Sequence, residues 1–204
     1  MKSTISLTLS FFLLFTSNFL PLAFSRVPEQ VRDSNGLPIS PSVQYRLSDL
    51  NRHGPQGGGV TSDFGRNSVC NVAVTSKFDL GVNLRFNIEG RSSGVILTET
   101  PLEIRFGFIP YCAESSEWVV VDDFPKKWIA IGKNGDHLGK QILSGTFMFK
   151  KYGEGYNFAF CSNNTNHNTC FSIGRTNDHE GRHLVLMDDS HTNVPFNFQL
   201  INIG

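Results

Sequence analysis

Hydrophobic and polar positions alternate in short runs along most of this chain. Val82, Leu84, Phe86 and Ile88 are separated by polar neighbours, and Leu102, Ile104, Phe106 and Phe108 repeat the pattern further on. A period of two marks a strand with one buried face. The same period links Phe147 to Phe149, Phe158 to Phe160 and Phe196 to Phe198. It predicts strands near residues 45–47, 69–74, 82–88, 102–108, 118–121, 128–131, 147–150, 157–161, 171–173, 183–187 and 196–201. Gly, Pro, Asn and Asp separate them, and no apolar stripe at i, i+3, i+4, i+7 lasts long enough for a helix. Short strands at this spacing predict an all-β sandwich or closed barrel.

One interval stands out. Between the runs at 82–88 and 102–108 lies Glu89-Gly90-Arg91-Ser92-Ser93-Gly94, small and polar, followed by the β-branched pair Val95-Ile96. Such a segment belongs on the surface, where rigid scaffolds carry their function.

Composition narrows the setting. The chain has 204 residues, enough for one domain with a proper core, and 18 Lys and Arg balance 18 Asp and Glu. No basic stripe suggests a nucleic-acid partner, and no acidic run suggests a solvating tail. The 18 Phe supply the core of a sheet protein.

The first 25 residues read as an address. Lys2 gives a positive start, residues 5–15 an apolar stretch, and Ala23-Phe24-Ser25 a small-x-small cleavage site. Ser10, Thr16, Ser17, Asn18 and Pro21 break the apolar run before the roughly 18 residues of a membrane span. The expected organisation is a signal peptide at 1–25 and one secreted domain at 26–204, with no membrane partner.

Four cysteines on a secretory route suggest two disulfides, for which three connectivities exist. Cys161 and Cys170 enclose the hydrophilic SNNTNHNT, a turn that a bridge closes easily, leaving Cys70 for Cys112. Zinc is disfavoured, because no two cysteines have knuckle spacing and secretion favours oxidation. The sequon Asn163-Asn164-Thr165 in that turn marks Asn163 for glycosylation.

Three strings imitate catalytic motifs. Gly90-Arg91-Ser92-Ser93-Gly94 has the form G-x-S-x-G, but a nucleophile elbow needs a following helix, and Val95-Ile96-Leu97-Thr98 runs to Pro101 instead. His179-Glu180-Gly181-Arg182-His183 has the form H-E-x-x-H, but turn formers and a strand-like tail deny it the helix that brings both imidazoles together. Gly57-Gly58-Gly59 lacks the Lys-Ser/Thr pair of a phosphate loop. The chain is therefore read as no enzyme, with no cofactor and no metal.

From Val31-Arg32-Asp33-Ser34-Asn35-Gly36-Leu37-Pro38-Ile39 and Tyr45-Arg46-Leu47 onward, the chain resembles the plant Kunitz family of the soybean-trypsin-inhibitor type. The resemblance continues through Ser116-Glu117-Trp118-Val119-Val120-Val121-Asp122-Asp123, Tyr156-Asn157-Phe158-Ala159-Phe160-Cys161 and Cys170-Phe171-Ser172-Ile173-Gly174 to Gly181-Arg182-His183-Leu184-Val185-Leu186. It implies a β-trefoil of twelve strands in three pseudo-repeats, a six-stranded barrel capped by three hairpins. The implied disulfides are Cys70–Cys112 and Cys161–Cys170.

The implied activity is protease inhibition by the loop between the fourth and fifth strands, here Ile88, Glu89, Gly90, Arg91, Ser92 and Ser93. Either Gly90 or Arg91 precedes the presented bond, and arginine would suit the acidic pocket of a trypsin-like enzyme. The partner is then a target protease, most simply a serine endopeptidase, met by a monomer in the apoplast or vacuole. The alternatives are a relative directed at a cysteine or other plant protease or an amylase, and a non-inhibitory binding or storage trefoil. Leu37 and Pro41 depart from the family pattern. Pro41 stands where trypsin-inhibiting members carry an asparagine whose amide braces the loop.

Overall fold

The computed structural model describes residues 27–41, 43–51, 58–64, 70–75, 81–91, 94–111, 113–123, 126–163, 169–176, 182–187 and 193–204. The segment expected as a signal peptide lies outside them. Fourteen strands occur among the described residues, and the one helical element is a single 3-10 turn at Asn134–Asp136.

The first third contributes β1 (Tyr45–Asp49), β2 (Val60–Phe64), β3 (Cys70–Thr75) and β4 (Leu84–Ile88). The second contributes β5 (Leu102–Phe106), β6 (Trp118–Asp123), β7 (Lys126–Ile131), β8 (Gln141–Leu143) and β9 (Gly145–Tyr152). The last contributes β10 (Gly155–Ser162), β11 (Thr169–Arg175), β12 (Leu184–Leu186), β13 (Val194–Pro195) and β14 (Phe198–Asn202).

Antiparallel pairings close six of these into a ring, in the order β1, β4, β5, β9, β10, β14 and back to β1. Closure removes the unpaired edges that an open sheet leaves exposed. Gly155 permits the β10–β14 approach, since a Cβ there would collide with Phe198 O and Leu50 Cδ1. Between successive pairs of ring strands the chain inserts a hairpin: β2–β3, β6–β7 and β11–β12.

Alternating large residues fill the ring. Phe86, Phe149, Phe158 and Phe198 are fully buried. Phe86 meets Phe149 at 5.0 Å between ring centroids, Phe149 meets Phe158 at 5.1 Å, and Phe158 meets Phe198 at 4.5 Å. Trp118 lies edge-on to Phe158 at 5.6 Å. Aromatic pairs at these separations add to the stabilisation that burial alone provides.

Three strands escape the sequence pattern: β2, β8 and β13. The last two are short additions to β6 and β11, and they raise the strand number above the twelve implied by the resemblance. The expected strand at 82–88 starts only at Leu84, and the one at 102–108 stops at Phe106. The Gly107 N–H still donates to Asn83 O at 2.7 Å, one rung beyond the strand, and the chain then bends at Gly107–Phe108. Phe108 is consequently 47% exposed and stacks on Phe106, rather than joining the core as the alternation predicts.

Candidate site: the loop between β4 and β5

Strand β4 ends in a tight turn. The Arg91 N–H donates to Ile88 O at 3.0 Å, and Gly90 adopts φ +70° at the third position. A four-residue turn with that sign at its third residue needs glycine there. Residues 88–91 are thus folded back on themselves, not extended. Ile88 is half-buried against the core, while Glu89, Gly90 and Arg91 are exposed. The Arg91 side chain makes no hydrogen bond or ion pair among the described residues. Ser92 and Ser93 lie outside the described residues.

The chain is picked up again at Gly94, with φ +139° and its Cβ direction 3.3 Å from Ile88 Cδ1. Ile88 therefore sits beneath the returning limb of the loop. Two residues later the limb is locked. Ile96 is fully buried, and its carbonyl accepts the Val31 N–H at 2.9 Å. Glu29 N–H donates to Thr98 Oγ1 at 2.8 Å while Thr98 N–H returns a bond to Glu29 O at 2.7 Å. Glu99 takes φ +59° and donates its N–H to Phe149 O at 2.8 Å, and the Thr100 hydroxyl donates to Leu97 O at 2.7 Å. The arrangement can present a short stretch of backbone to a partner from two fixed ends.

Pro41 is buried and lines a cavity with Arg85 and Asn87, beside the strand that feeds the loop. It offers no donor to the loop. The residues that do fix the loop's far limb, Glu29, Val31 and Thr98, carry no mark in the sequence, because their pairing partner is nearly seventy residues away. The sequence showed a small polar surface loop here, but not the turn that closes Arg91 onto Ile88.

The cysteines are resolved in part. Cys161 and Cys170 face one another across β10 and β11 and are disulfide-bonded. The Cys70 side chain and Cys112 lie outside the described residues. Asn163 is exposed just beyond β10, with its N–H on Ser144 O at 3.0 Å.

His183 precedes β12 and is buried edge-on against Trp128 at 5.1 Å, so it occupies no helix; His179 lies outside the described residues. Among the described residues no cluster of three His, Cys, Asp or Glu could hold a metal ion. Burial lowers the pKa of His137, against the opposing hydrogen bond between its Nε2 and Ile131 O at 3.0 Å.

A closed all-β ring that holds out a loop by both ends defines a binding scaffold that works by presentation. A family model, the legume Kunitz type described as trypsin and protease inhibitor, matches residues 31–199. The chain belongs to that family, whose members are inhibitors and not enzymes. It is 40% identical over 205 residues to Kunitz-type trypsin inhibitor-like 1 protein of Pisum sativum, covering 96% of this chain and 93% of the relative. It is 38% identical to subtilisin inhibitor CLSI-II of Canavalia lineata, covering 81% of this chain and 90% of that one. The solved structure of a Kunitz-type trypsin inhibitor from Cicer arietinum superposes with a TM-score of 0.75 at 38% identity, covering 86% of this chain and 99% of the other.

Proposed function

We propose that this protein is a secreted inhibitor of serine endopeptidases that lays its β4–β5 loop in the target's substrate cleft. The observation that carries this reading is the contrast within the loop. Glu89, Gly90, Arg91, Gly94 and Val95 are exposed, while Ile88 and Ile96 on either side are built into the core. A loop held at both ends loses little conformational freedom on docking, which favours tight binding. The same restraint keeps the two sides of a cut bond together.

Residues 88–91 form a turn in which Gly90 holds the positive φ, which leaves Arg91 as the first residue beyond the turn's centre. Arg91 is then the residue before the presented bond, and Gly90 serves the turn. A guanidinium there suits a trypsin-like pocket with an acidic floor. The Canavalia relative's name supports a second target class, subtilisin-like enzymes.

The scaffold proposed for this activity is a β-trefoil, supported by the ring and its three inserted hairpins, with Cys70–Cys112 as a second bridge. Residues 1–25 are the signal peptide, 26–204 the mature domain, and the exposed Asn163 carries an N-glycan. The protein acts as a monomer.

The test is titration of trypsin, chymotrypsin, elastase and subtilisin, with papain and an α-amylase as controls. Stoichiometric inhibition of at least one serine endopeptidase is expected. Inhibition of papain or amylase alone would replace this reading with another target class. Inhibition of none would leave a binding or storage protein.

A further inference from the structure

A cavity of about 340 Å³ opens on the outer side of the β4–β5 ladder, and none of the described residues from Ile88 to Val95 lines it. Its size falls within the range of small-molecule sites. Arg85 and Arg105 both line it and stand directly opposite one another in the strand register. Like charges so placed repel. Arg105 is compensated, with Nη2 at 2.8 Å from Glu103 Oε2 and 3.6 Å from Glu117 Oε2. Arg85 meets no carboxylate among the described residues.

Arg85 lies instead against the Gln44 amide, one end of which is 3.2 Å from Nε and 2.6 Å from Nη2. The other end of that amide is 2.9 Å from Asn83 Nδ2, and Asn83 Oδ1 accepts Arg46 Nε at 2.9 Å. Hydrogen-bond accounting along this row of four side chains does not balance. If the Gln44 oxygen is assigned to Asn83, the Gln44 NH2 faces the Arg85 guanidinium. If it is assigned to Arg85, two NH2 groups face each other. Turning Asn83 as well moves the conflict to Arg46. The row has one donor too many, and an acceptor from outside relieves it. Water can fill that place; an anion fills it with charge as well, and charge-assisted hydrogen bonds are roughly twice as strong as neutral ones.

The rest of the cavity says what the anion is attached to. Phe106 and Phe108 stack with centroids 6.1 Å apart and planes 11° from parallel, and both line the space. Asn87 and Ser116 add polar groups to the lining. Glu103 and Glu117 both pair with Arg105, and Arg85 is the guanidinium of the cavity that has no carboxylate among the described residues.

We propose that this cavity binds a small monocarboxylate with a flat apolar body, of the aryl-alkanoate class. Its carboxylate pairs with Arg85, and its ring lies against Phe108, the exposed member of the Phe106–Phe108 pair. The site is independent of protease inhibition, so its test stands whether or not the loop inhibits.

The probe is 3-phenylpropionate, titrated into the ¹⁵N-labelled protein and followed by amide shifts, with uncharged 3-phenylpropanamide as the comparison. Saturable shifts are expected at Gly107, Phe108 and Ser116. The amide should bind about tenfold more weakly, the worth of one hydrogen bond to a charged group. Arg85→Gln should weaken the carboxylate by a similar factor, and Phe108→Ala should weaken carboxylate and amide alike. Both positions are exposed, so the variants should keep the parent's dispersed spectrum. No saturable shift, or equal binding of 3-phenylpropionate to the parent and to Arg85→Gln, would overturn the proposal. Equal binding of acid and amide would overturn it too, leaving only an apolar patch.

Discussion

Arg91 donates its backbone N–H to Ile88 O at 3.0 Å, and this bond turns the chain at the end of β4. The Ile88 side chain then lies under Gly94, so one residue supports both the turn and the returning limb. Pro41 supplies no amide, and Ile88 is the residue of the described loop placed to brace it.

Gly90→Ala tests the turn without touching packing, because an added Cβ there meets nothing within 4 Å. The φ of +70° alone should lower stability by about 1 kcal/mol. Ile88→Ala removes the support itself and should lower stability by about 1–3 kcal/mol. Urea unfolding measures both, and the half-life of the loop with excess protease should shorten in both. Parent-like half-lives in both variants would show that the brace lies elsewhere.

Arg91→Ala should leave the unfolding midpoint within experimental error, since the side chain is exposed and unpaired among the described residues. Trypsin binding should weaken by roughly 2–4 kcal/mol, the scale of a lost anchor in a specificity pocket. Unchanged trypsin inhibition would remove Arg91 from the contact and favour a small-residue target such as subtilisin.

His137 makes stability depend on pH. Its Nδ1 is buried with no partner, so protonation would place an N–H where no acceptor exists. Burial lowers its folded pKa, so the unfolded chain takes up the proton first as pH falls. The stabilisation is therefore complete above the ordinary histidine value of about 6.5 and is lost as pH drops from there through the lowered folded pKa. Melting temperature measured from pH 8 to 4 should fall less steeply below about 6.5 for His137→Gln than for the parent. Parallel curves would contradict this.

Asp49 and Arg175, 126 residues apart, form an ion pair that ties β1 to β11, and the Asp49 side chain is fully buried. Asp49 Oδ1 also accepts the Asn51 N–H at 2.9 Å. Asp49→Ala strands the arginine and should lower stability by about 3–5 kcal/mol, whereas replacing both partners with apolar residues should recover much of that loss. Chemical denaturation of the single and double variants checks it. Additive losses would show that the two residues are not coupled.

What the sequence disclosed follows from where each signal resides. Period-two runs with large residues made β4, β5, β9 and β10 legible, because every second side chain reports the same buried face. Strand β2 reads VTSDF and shows no such alternation. Strands β8 and β13 are two or three residues long and exist through their pairing with β6 and β11, which no local pattern encodes. Phe108 was misplaced because alternation continues past Phe106 in the sequence while the backbone bends away after the Gly107–Asn83 bond. The loop was recognisable from its small polar residues between two strands. Its anchoring by Glu29, Val31 and Thr98 and the Asp49–Arg175 pair depend on residues brought together from far along the chain.

The central claim is that inhibition passes through the loop between Ile88 and Ile96. The most direct measurement is to hold the protein with a catalytic amount of the inhibited protease, dissociate the complex with acid, and map the chain by intact-mass and N-terminal analysis. The expected result is a single cut, after Arg91 with trypsin, with both fragments retained in one folded molecule that still inhibits. Cuts outside residues 89–95, or full inhibition after those residues are replaced by a glycine-serine linker of equal length, would contradict it.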